Sequence, residues 1–319
     1  MIILRRTVSI ALLAAFLAWA AWYVSDNADA FLPVLHVTWA DTLVVALAFV
    51  AIMVCNGLFI AIVSRAFRIR LEAPEWLSLS FASSFANYFL PFRVGTGIRA
   101  LYMNRVHRFP IAEFVSTLSI LYLMHTVSNG LLALAGMGLI ALGGGPVDVT
   151  LMVFFALTAG AGLTAMLIKF EIRREFRRFP FAHVVKLVNA WQSVRADRNL
   201  VTRLWVLMFA MTVATVVQCR AAFEALSIAL PWEGVVVYAA SKNLAALIGL
   251  TPGSMGVVEL VSIYLGRVLG YSTADALSVQ ALIRAVSISS LLVAGPISLF
   301  FLKRRIAAHV GRRAGVVDG

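Results

Sequence analysis

The sequence is poor in charged residues, and poorest in acidic ones. Only 13% of its 319 residues are charged, Asp and Glu number 15 against 27 Lys and Arg, and 61% of the residues are hydrophobic. Ordinary soluble domains carry ~25% charged residues. This composition therefore excludes a soluble domain and predicts a polytopic α-helical membrane protein. The two cysteines, Cys55 and Cys219, lie within apolar runs and indicate neither a disulfide framework nor a metal site. No nucleotide-binding motif is present, and we expect no cofactor.

The basic residues are confined to one set of segments. Of the 27 Lys and Arg, 21 fall in residues 1–7, 64–75, 103–112, 169–203 and 302–319. The alternate loops contain acidic residues and no Lys or Arg. This positive-inside pattern predicts a bacterial inner-membrane protein with both termini in the cytoplasm, and it argues against nucleic acid as the partner of the +12 net charge.

The apolar runs predict six transmembrane helices, at about 8–24, 43–64, 113–141, 149–168, 204–226 and 276–301. The first run is preceded by Arg5-Arg6 and followed by Ala28-Asp29-Ala30, so a cleaved signal peptide is the alternative to an uncleaved helix. Residues 169–203 form a basic linker. Its apolar residues from Val184 to Val194 recur at helical spacing, which predicts a helix on the cytoplasmic leaflet or one packed on its neighbours.

Two further apolar stretches are broken in the middle. Residues 76–102 are interrupted at Pro91 and Gly95, and both flanks are basic. The second stretch is interrupted at Pro252, Gly253 and Gly256, and its flanking loops are acidic. We therefore predict two re-entrant helical hairpins that enter the membrane from opposite sides.

The order helix–hairpin–helix occurs twice, in residues 43–141 and 204–301, with opposite orientation. The sequence thus predicts a single membrane domain, 1–319, that contains an inverted repeat. Inverted repeats with discontinuous helices near the membrane midplane are typical of transporters.

Charged and amide side chains cluster near the two predicted tips. Because a helix N-terminus and a buried cation both favour an anion, they predict a pocket for a phosphate-bearing head group. The alternative is structural, with Arg93 or Arg99 paired to Glu259 so that the two hairpins are stapled together. The candidate substrate-binding residues are Arg93, Arg99, Lys242, Glu259, Asn87, Asn243 and Arg284.

A polar stripe follows one face of the helix predicted at 113–141. Tyr122, His125 and Asn129 are spaced i, i+3 and i+7. Such a stripe either relays protons or hydrogen-bonds a neighbouring helix, and the second interpretation is the commoner one.

The two breaks also resemble a known family, the transmembrane (flippase-like) region of lysylphosphatidylglycerol synthases. Its first motif is similar to Pro-Gly-Arg-x-Gly-Glu-x-x-Arg, and residues 91–99 keep the proline, both arginines and the glycine. Its second motif is similar to Pro-Gly-Gly-x-Gly-x-x-Glu, and residues 252–259 match it except at Ser254. The resemblance covers nearly the whole chain and implies a flippase acting on a lipid.

Acidic residues of that family are missing from this chain. The first-motif glutamate is Thr96 here, and a family Glu-Arg-x-x-Asp falls on Leu121, Tyr122 and His125. The expected site is therefore more cationic than that of the family.

Together these observations predict a flippase that moves an anionic lipid, either a modified phospholipid or a polyprenyl-phosphate-linked sugar, between leaflets. A membrane transferase acting on lipid phosphates is one alternative. A non-transporting subunit of a lipid or polysaccharide pathway is the other. The sequence leaves open whether the partner is a lipid-modifying enzyme or a second copy of the chain.

Overall fold

The computed structural model describes residues 22, 25, 34, 36–90, 92–167, 191, 194–249 and 251–317. The predicted first helix (8–24), Pro91 and most of the 169–203 linker therefore lie outside the described residues. Throughout the described part the chain is helical, without a strand. The helices are α1 (Trp39–Ala66), α2 (Ala73–Phe89), α3 (Val94–His107), α4 (Ile111–Leu142), α5 (Val149–Leu167), α6 (Arg198–Ala225), α7 (Trp232–Ala246), α8 (Val257–Leu269) and α9 (Thr273–Val317), with a 3-10 turn at Pro252–Ser254 between α7 and α8.

Five of the described helices contain segments long and apolar enough to cross a membrane. These are Trp39–Ala66, Glu113–Leu142, Val149–Leu167, Arg198–Ala225 and Thr273–His309. They correspond to five of the six predicted spans. The last helix was predicted too short, because α9 continues through the basic Lys303-Arg304-Arg305 to Val317 instead of ending at 301.

Helix α6 also begins earlier than predicted, inside the basic linker. The Asp197 side chain caps it, since Asp197 Oδ1 accepts a 3.0 Å hydrogen bond from the Leu200 amide. Two described linker residues face the protein: Trp191 donates its indole N–H to Met166 O at 2.9 Å, and Val194 is fully buried. At these two positions the linker packs on its neighbours.

Both predicted breaks are confirmed. Helix α2 begins with a capping interaction in which Glu75 Oε2 accepts the Glu72 amide at 2.9 Å. Helix α2 ends at Leu90, which adopts an extended conformation (φ −120°, ψ 140°) because a residue that precedes proline avoids helical geometry. Phe92 and Arg93 then adopt left-handed conformations, with φ of 58° and 53°, before α3 starts.

The second break has an equivalent irregular backbone. Gly253 and Gly256 have φ of 56° and 84°, values that glycine adopts without steric cost. Helix α8 follows directly.

The broken helices pack across the two halves of the chain. Helix α1 lies along α6, α2 lies along α9, and α7 lies along α4. Glycines allow the close approaches: a Cβ on Gly295 of α9 would lie 2.5 Å from the Phe85 ring, and one on Gly136 of α4 would lie 2.8 Å from Val237. Helix α9 of the second half thus supplies the main packing surface for α2 of the first half, and α4 of the first half supplies it for α7 of the second.

Candidate functional site

The two breaks meet in the interior of the protein. Helix α2 contacts the 3-10 turn of the second break. Arg93, at the start of α3, donates from Nη2 to Ala246 O at the end of α7, at 2.6 Å. A Cβ on Gly249 would lie 2.2 Å from Arg93 Nε, so the glycine makes room for this crossing. The helix ends that the sequence predicted as tips are therefore adjacent.

Two cavities flank this meeting point. The first has a volume of about 260 Å³ and is lined by both Arg93 and Arg99. The second, of about 250 Å³, is lined by Lys242 and Arg284. Both cavities share Asn87 and Asn243 in their walls. The structure thus brings six of the seven predicted substrate-binding residues to one region, and the seventh, Glu259, contacts Arg284.

Arg99 is the most deeply buried cation of the site, with 6% of its surface exposed. Its Nη2 donates to Ser83 Oγ at 2.5 Å and to Asn56 Oδ1 at 3.3 Å, whereas Nε has no partner. All the protein contacts described for this guanidinium are with neutral groups. A buried cation without a counter-charge is costly, and it favours an anion in the adjoining cavity.

Arg93 contacts an aromatic ring and a backbone carbonyl rather than a carboxylate. Its guanidinium carbon lies 4.9 Å from the centre of the Tyr122 ring. Together with the Ala246 carbonyl, this contact fixes the side chain over the cavity and leaves its charge without an ionic partner among the described residues.

The structure contradicts the predicted staple between Glu259 and Arg93 or Arg99. Glu259 instead forms an ion pair with Arg284 of α9. Its other carboxylate oxygen accepts the Gly256 amide at 2.8 Å. This side chain therefore caps its own helix, and the Gly256 amide at the second tip is already occupied.

Lys242 has neutral partners as well. Its Nζ lies 3.0 Å from Gln218 Oε1 and 3.9 Å from Cys219 Sγ. Among the described residues that line the two cavities, none is acidic. The electrostatic character of the region is thus cationic, with Arg93, Arg99 and Lys242 free of carboxylate partners.

The predicted polar stripe on α4 makes an interhelical hydrogen bond as well as bonds within its own helix. Asn129 is fully buried; its Nδ2 lies 3.0 Å from His125 Nδ1 and 2.8 Å from His125 O. Asn129 Oδ1 accepts from Asn243 Nδ2 of α7 at 3.0 Å. These bonds fix the orientation of Asn243 in the wall shared by the cavities, as the commoner interpretation of the stripe predicts.

Gly95 packs against α2 rather than facing a cavity. A Cβ at this position would lie 1.8 Å from Ser83 O and 2.8 Å from Asn87 Oδ1. The glycine therefore allows α2 and α3 to pack closely enough for Ser83 to reach Arg99.

Sequence reasoning missed the neutral residues that hold the cations, namely Asn56, Ser83 and Gln218. A signal for Ser83 was present, because Ser80, Ser83, Ser84 and Asn87 recur at helical spacing along α2.

It also missed a polar cluster around Glu75, which is 2% exposed. Its Oε1 lies 2.7 Å from Tyr102 Oη, 3.1 Å from His107 Nε2 and 2.8 Å from Arg305 Nη1. Burial alone would raise the pKa of Glu75, but the hydrogen bonds with His107, Tyr102 and the Glu72 amide outweigh it and lower the pKa to about 2.

A comparison with known proteins agrees with the resemblance seen at the two breaks. A search of curated proteins found none similar to this chain. The sequence profile described as the lysylphosphatidylglycerol synthase TM region, however, matches residues 6–295, which is most of the chain and includes both breaks and both cavities. The chain belongs to the family of the lysylphosphatidylglycerol synthase transmembrane region.

Proposed function

We propose that this protein is a translocase that moves an anionic, phosphate-bearing lipid between the leaflets of a bacterial inner membrane. The observation that carries the proposal is the environment of Arg99. This cation is buried and lines a cavity beside Arg93, and the described residues that bind it are neutral. A phosphate entering the cavity would supply the missing counter-charge through charge-assisted hydrogen bonds.

The lengths of the broken helices support the re-entrant arrangement. Helices α2, α3, α7 and α8 have 17, 14, 15 and 13 residues. At ~1.5 Å per residue they are each shorter than the ~30 Å hydrocarbon core. In the proposed topology, α2–α3 enters from the cytoplasm, α7–α8 enters from the opposite side, and the two tips meet near the midplane. This topology combines the predicted first helix with the five described spans into six crossings, and both termini are then cytoplasmic.

The reciprocal packing supports an inverted repeat. Exchange of α1 with α6, α2 with α7, α3 with α8 and α4 with α9 leaves the α1–α6 contact unchanged and converts α2–α9 into α7–α4, α1–α2 into α6–α7 and α2–α3 into α7–α8, all of which are present. Helix α5 has no counterpart in this exchange. The repeats correspond to residues 43–141 and 204–301 of the sequence. A site between two such repeats, lined by broken backbone, is the arrangement expected of a transporter that alternates between two sides of the membrane.

The cationic lining favours a lipid whose head group has net negative charge. Arg93, Arg99 and Lys242 attract phosphate, and the nearby carboxylate of Glu259 is occupied by Arg284. A head group that carries an additional amine would therefore find no free carboxylate among the described lining residues. We expect anionic lipids to be moved faster than aminoacylated ones.

The experiment is a lipid-movement assay with purified protein in liposomes. Fluorescent anionic and aminoacylated phospholipids are placed in both leaflets, and a membrane-impermeant reductant then bleaches the outer one. Bleaching of the inner pool only when protein is present supports the translocase. Failure to move any lipid, with folded protein, favours the non-transporting subunit. A change in the mass of the recovered lipid favours the transferase.

A further inference from the structure

His125 lies in the wall of the first cavity, on the same face of α4 as Asn129. Tyr122 and Arg93 line the cavity beside it, and the Arg93 guanidinium lies over the Tyr122 ring, about one turn before His125. The two nitrogens of the histidine ring have different surroundings, because one contacts a described side chain and the other does not. The hydrogen bonds around the ring therefore determine which nitrogen carries a hydrogen.

The side chain of Asn129 has a fixed orientation. Its Nδ2 lies 2.8 Å from His125 O, a backbone carbonyl that can only accept a hydrogen bond. Its Oδ1 accepts a hydrogen bond from Asn243 Nδ2 of α7 at 3.0 Å. Rotation of the amide by half a turn would bring Oδ1 against the carbonyl and Nδ2 against the Asn243 donor. Both contacts therefore require the NH₂ group of Asn129 to be the end that faces His125.

This orientation determines the tautomer of His125. The same Nδ2 lies 3.0 Å from His125 Nδ1, so Nδ1 faces a donor and must accept a hydrogen bond. In a neutral imidazole the hydrogen is then on Nε2. A doubly protonated ring would place a second N–H against the amide, and it would add a positive charge to a cavity that Arg93 and Arg99 already line. The contacts of α4 thus select the neutral ring with Nε2–H.

The Nε2 end of the ring is available to a ligand. It makes no hydrogen bond with a described residue, and it is not one of the unpartnered polar atoms of these residues that are closed off from solvent. Asn87 Oδ1 and Arg99 Nε, by contrast, are closed off. His125 therefore presents an accessible N–H donor on the wall of a cationic cavity, and such a donor suits an anionic oxygen.

No carboxylate faces the ring in the part of the chain that the structure describes. Helix α4 packs against α1, α3, α5, α6 and α7. The charged or titratable side chains that line the cavity with His125 are Arg93 and Arg99 of the first break and Tyr122 of α4. The cavity residues from α1, α6 and α7 are neutral, and α5 contains no titratable residue. Lys242 of α7 lies in the second cavity. None of these groups would stabilise an imidazolium.

We propose that His125 is a neutral N–H donor to a phosphate group in the first cavity, with Asn129 as the positioning residue that fixes its tautomer. The inference rests on the proposed function, because this phosphate is the one assigned to Arg93 and Arg99. It adds a third anchor for the phosphate without adding a third charge. It also excludes His125 as a proton carrier. Phosphate binding should accordingly not change between pH ~5 and ~8, where an ordinary histidine titrates.

The test is NMR of the histidine nitrogens in the purified full chain, isotopically labelled at histidine. The chain has five histidines, and the His125 signals are those that disappear in His125→Gln. We expect one protonated and one unprotonated ring nitrogen between pH ~5 and ~8. Phosphatidylglycerol, whose phosphodiester keeps its charge over this range, should shift the signal of Nε2. Parallel samples contain inorganic phosphate, which is a free anion, or diacylglycerol, which has no phosphate.

Variants connect the tautomer to binding. His125→Leu should weaken phosphatidylglycerol binding about tenfold, because a hydrogen bond to a charged group is lost, whereas His125→Gln retains an N–H donor and should bind more tightly than the leucine variant. His36→Leu is the matched control, since His36 is exposed and lies outside the cavity. Asn129→Leu removes the fixed donor, so both tautomers of His125 should then appear in the spectrum. The spectrum of the natural protein decides the tautomer even if a variant does not fold.

The outcomes separate this inference from the translocase proposal. Two protonated ring nitrogens within this pH range, a hydrogen on Nδ1 instead of Nε2, or an equal shift with diacylglycerol would each overturn the neutral donor. A shift with phosphatidylglycerol but no lipid movement in liposomes supports the donor and counts against the translocase. Normal lipid movement by His125→Leu, without a shift in the natural protein, does the reverse. A response to inorganic phosphate alone supports the donor and counts against a lipid ligand.

Discussion

Arg284 joins the second break to the last helix by two contacts. Its Nε forms the ion pair with Glu259, and its Nη1 donates to Gly253 O at 3.0 Å. The side chains of Arg284 and Glu259 are 14% and 7% exposed. One arginine thus neutralises the carboxylate and fixes the backbone of the break, so that Arg93 and Arg99 have no carboxylate partner in the part of the chain that the structure describes.

Glu259→Gln should destabilise the protein by ~3–5 kcal/mol, because it leaves Arg284 buried without a counter-charge. Thermal unfolding in detergent measures this as a lowered Tm. Glu259→Gln/Arg284→Gln should recover most of the loss, since neither charge then remains. Glu224→Gln is the control, because its pair with Arg220 is on the surface and Glu224 is 56% exposed, so we expect ~0–1 kcal/mol. An unchanged Tm in the single variant would contradict the role given to this pair.

Arg99→Met should lower lipid movement about tenfold or more, because a charge-assisted hydrogen bond contributes ~1.5–3 kcal/mol. Methionine keeps the apolar stem in place, so the Tm should change little. Arg267→Met, at an exposed position on α8, is the matched control and should move lipid normally. If Arg99→Met unfolds the protein while the folded fraction still moves lipid, Arg99 is structural.

Gly95 and Gly97 form a matched pair two residues apart on α3. Gly95→Ala should destabilise the protein by ~1–3 kcal/mol or more, because the new methyl group overlaps Ser83 O of α2. Gly97→Ala has open space and should be neutral or stabilising by up to ~1 kcal/mol, the difference in helix propensity. Unfolding midpoints of the two variants decide the question. Equal midpoints would show that α2 and α3 are not packed as described.

The stability contributed by Glu75 should depend on acid pH. Its pKa is lowered in the folded protein from an ordinary 4.5 to about 2. The contribution is therefore fully present above pH ~4.5 and is lost as the pH falls towards ~2. Tm measured over this range should fall more steeply for the natural protein than for Glu75→Gln. Parallel curves for the two would show that the carboxylate does not titrate in this way.

Impermeant thiol labelling tests the topology. In a background without Cys55 and Cys219, single cysteines at Arg70 and Arg108 should react from the cytoplasmic side, and those at Trp232 and Ser272 from the opposite side. All four positions are exposed. Reaction of positions 70 and 108 from opposite sides would make α2–α3 a complete crossing and would exclude the inverted repeat.

The sequence was informative where local chemistry determines structure. Pro91 and Pro252, each with a glycine four residues later, predicted both breaks, because proline and glycine act on the backbone whatever surrounds them. The ends of α4 and α5 agree with the prediction to within two residues. The end of α9 was predicted wrongly, since Lys303, Arg304 and Arg305 mark a membrane surface but do not stop a helix.

Side-chain partners were harder to predict. The sequence predicted Arg93 or Arg99 as the partner of Glu259, but the packing of α8 on α9 makes that partner Arg284. Arg99 was predicted to bind an anion or a carboxylate, but its neutral partners Ser83 and Asn56 are 16 and 43 residues away. Such contacts depend on the positions of whole helices, which no single stretch of sequence specifies.

The exchange of packing surfaces has a consequence for synthesis of the protein. Helix α2 lies along α9, which the ribosome makes roughly 180 residues later, and at ~5–20 residues per second this takes roughly 10–40 s. During that interval the serines of α2 and the cation of Arg99 have no completed interior in which to be buried. The insertion machinery would have to shelter the first pair of broken helices until the last helix arrives. Chains truncated before α9 should accordingly be degraded rather than accumulate as stable halves.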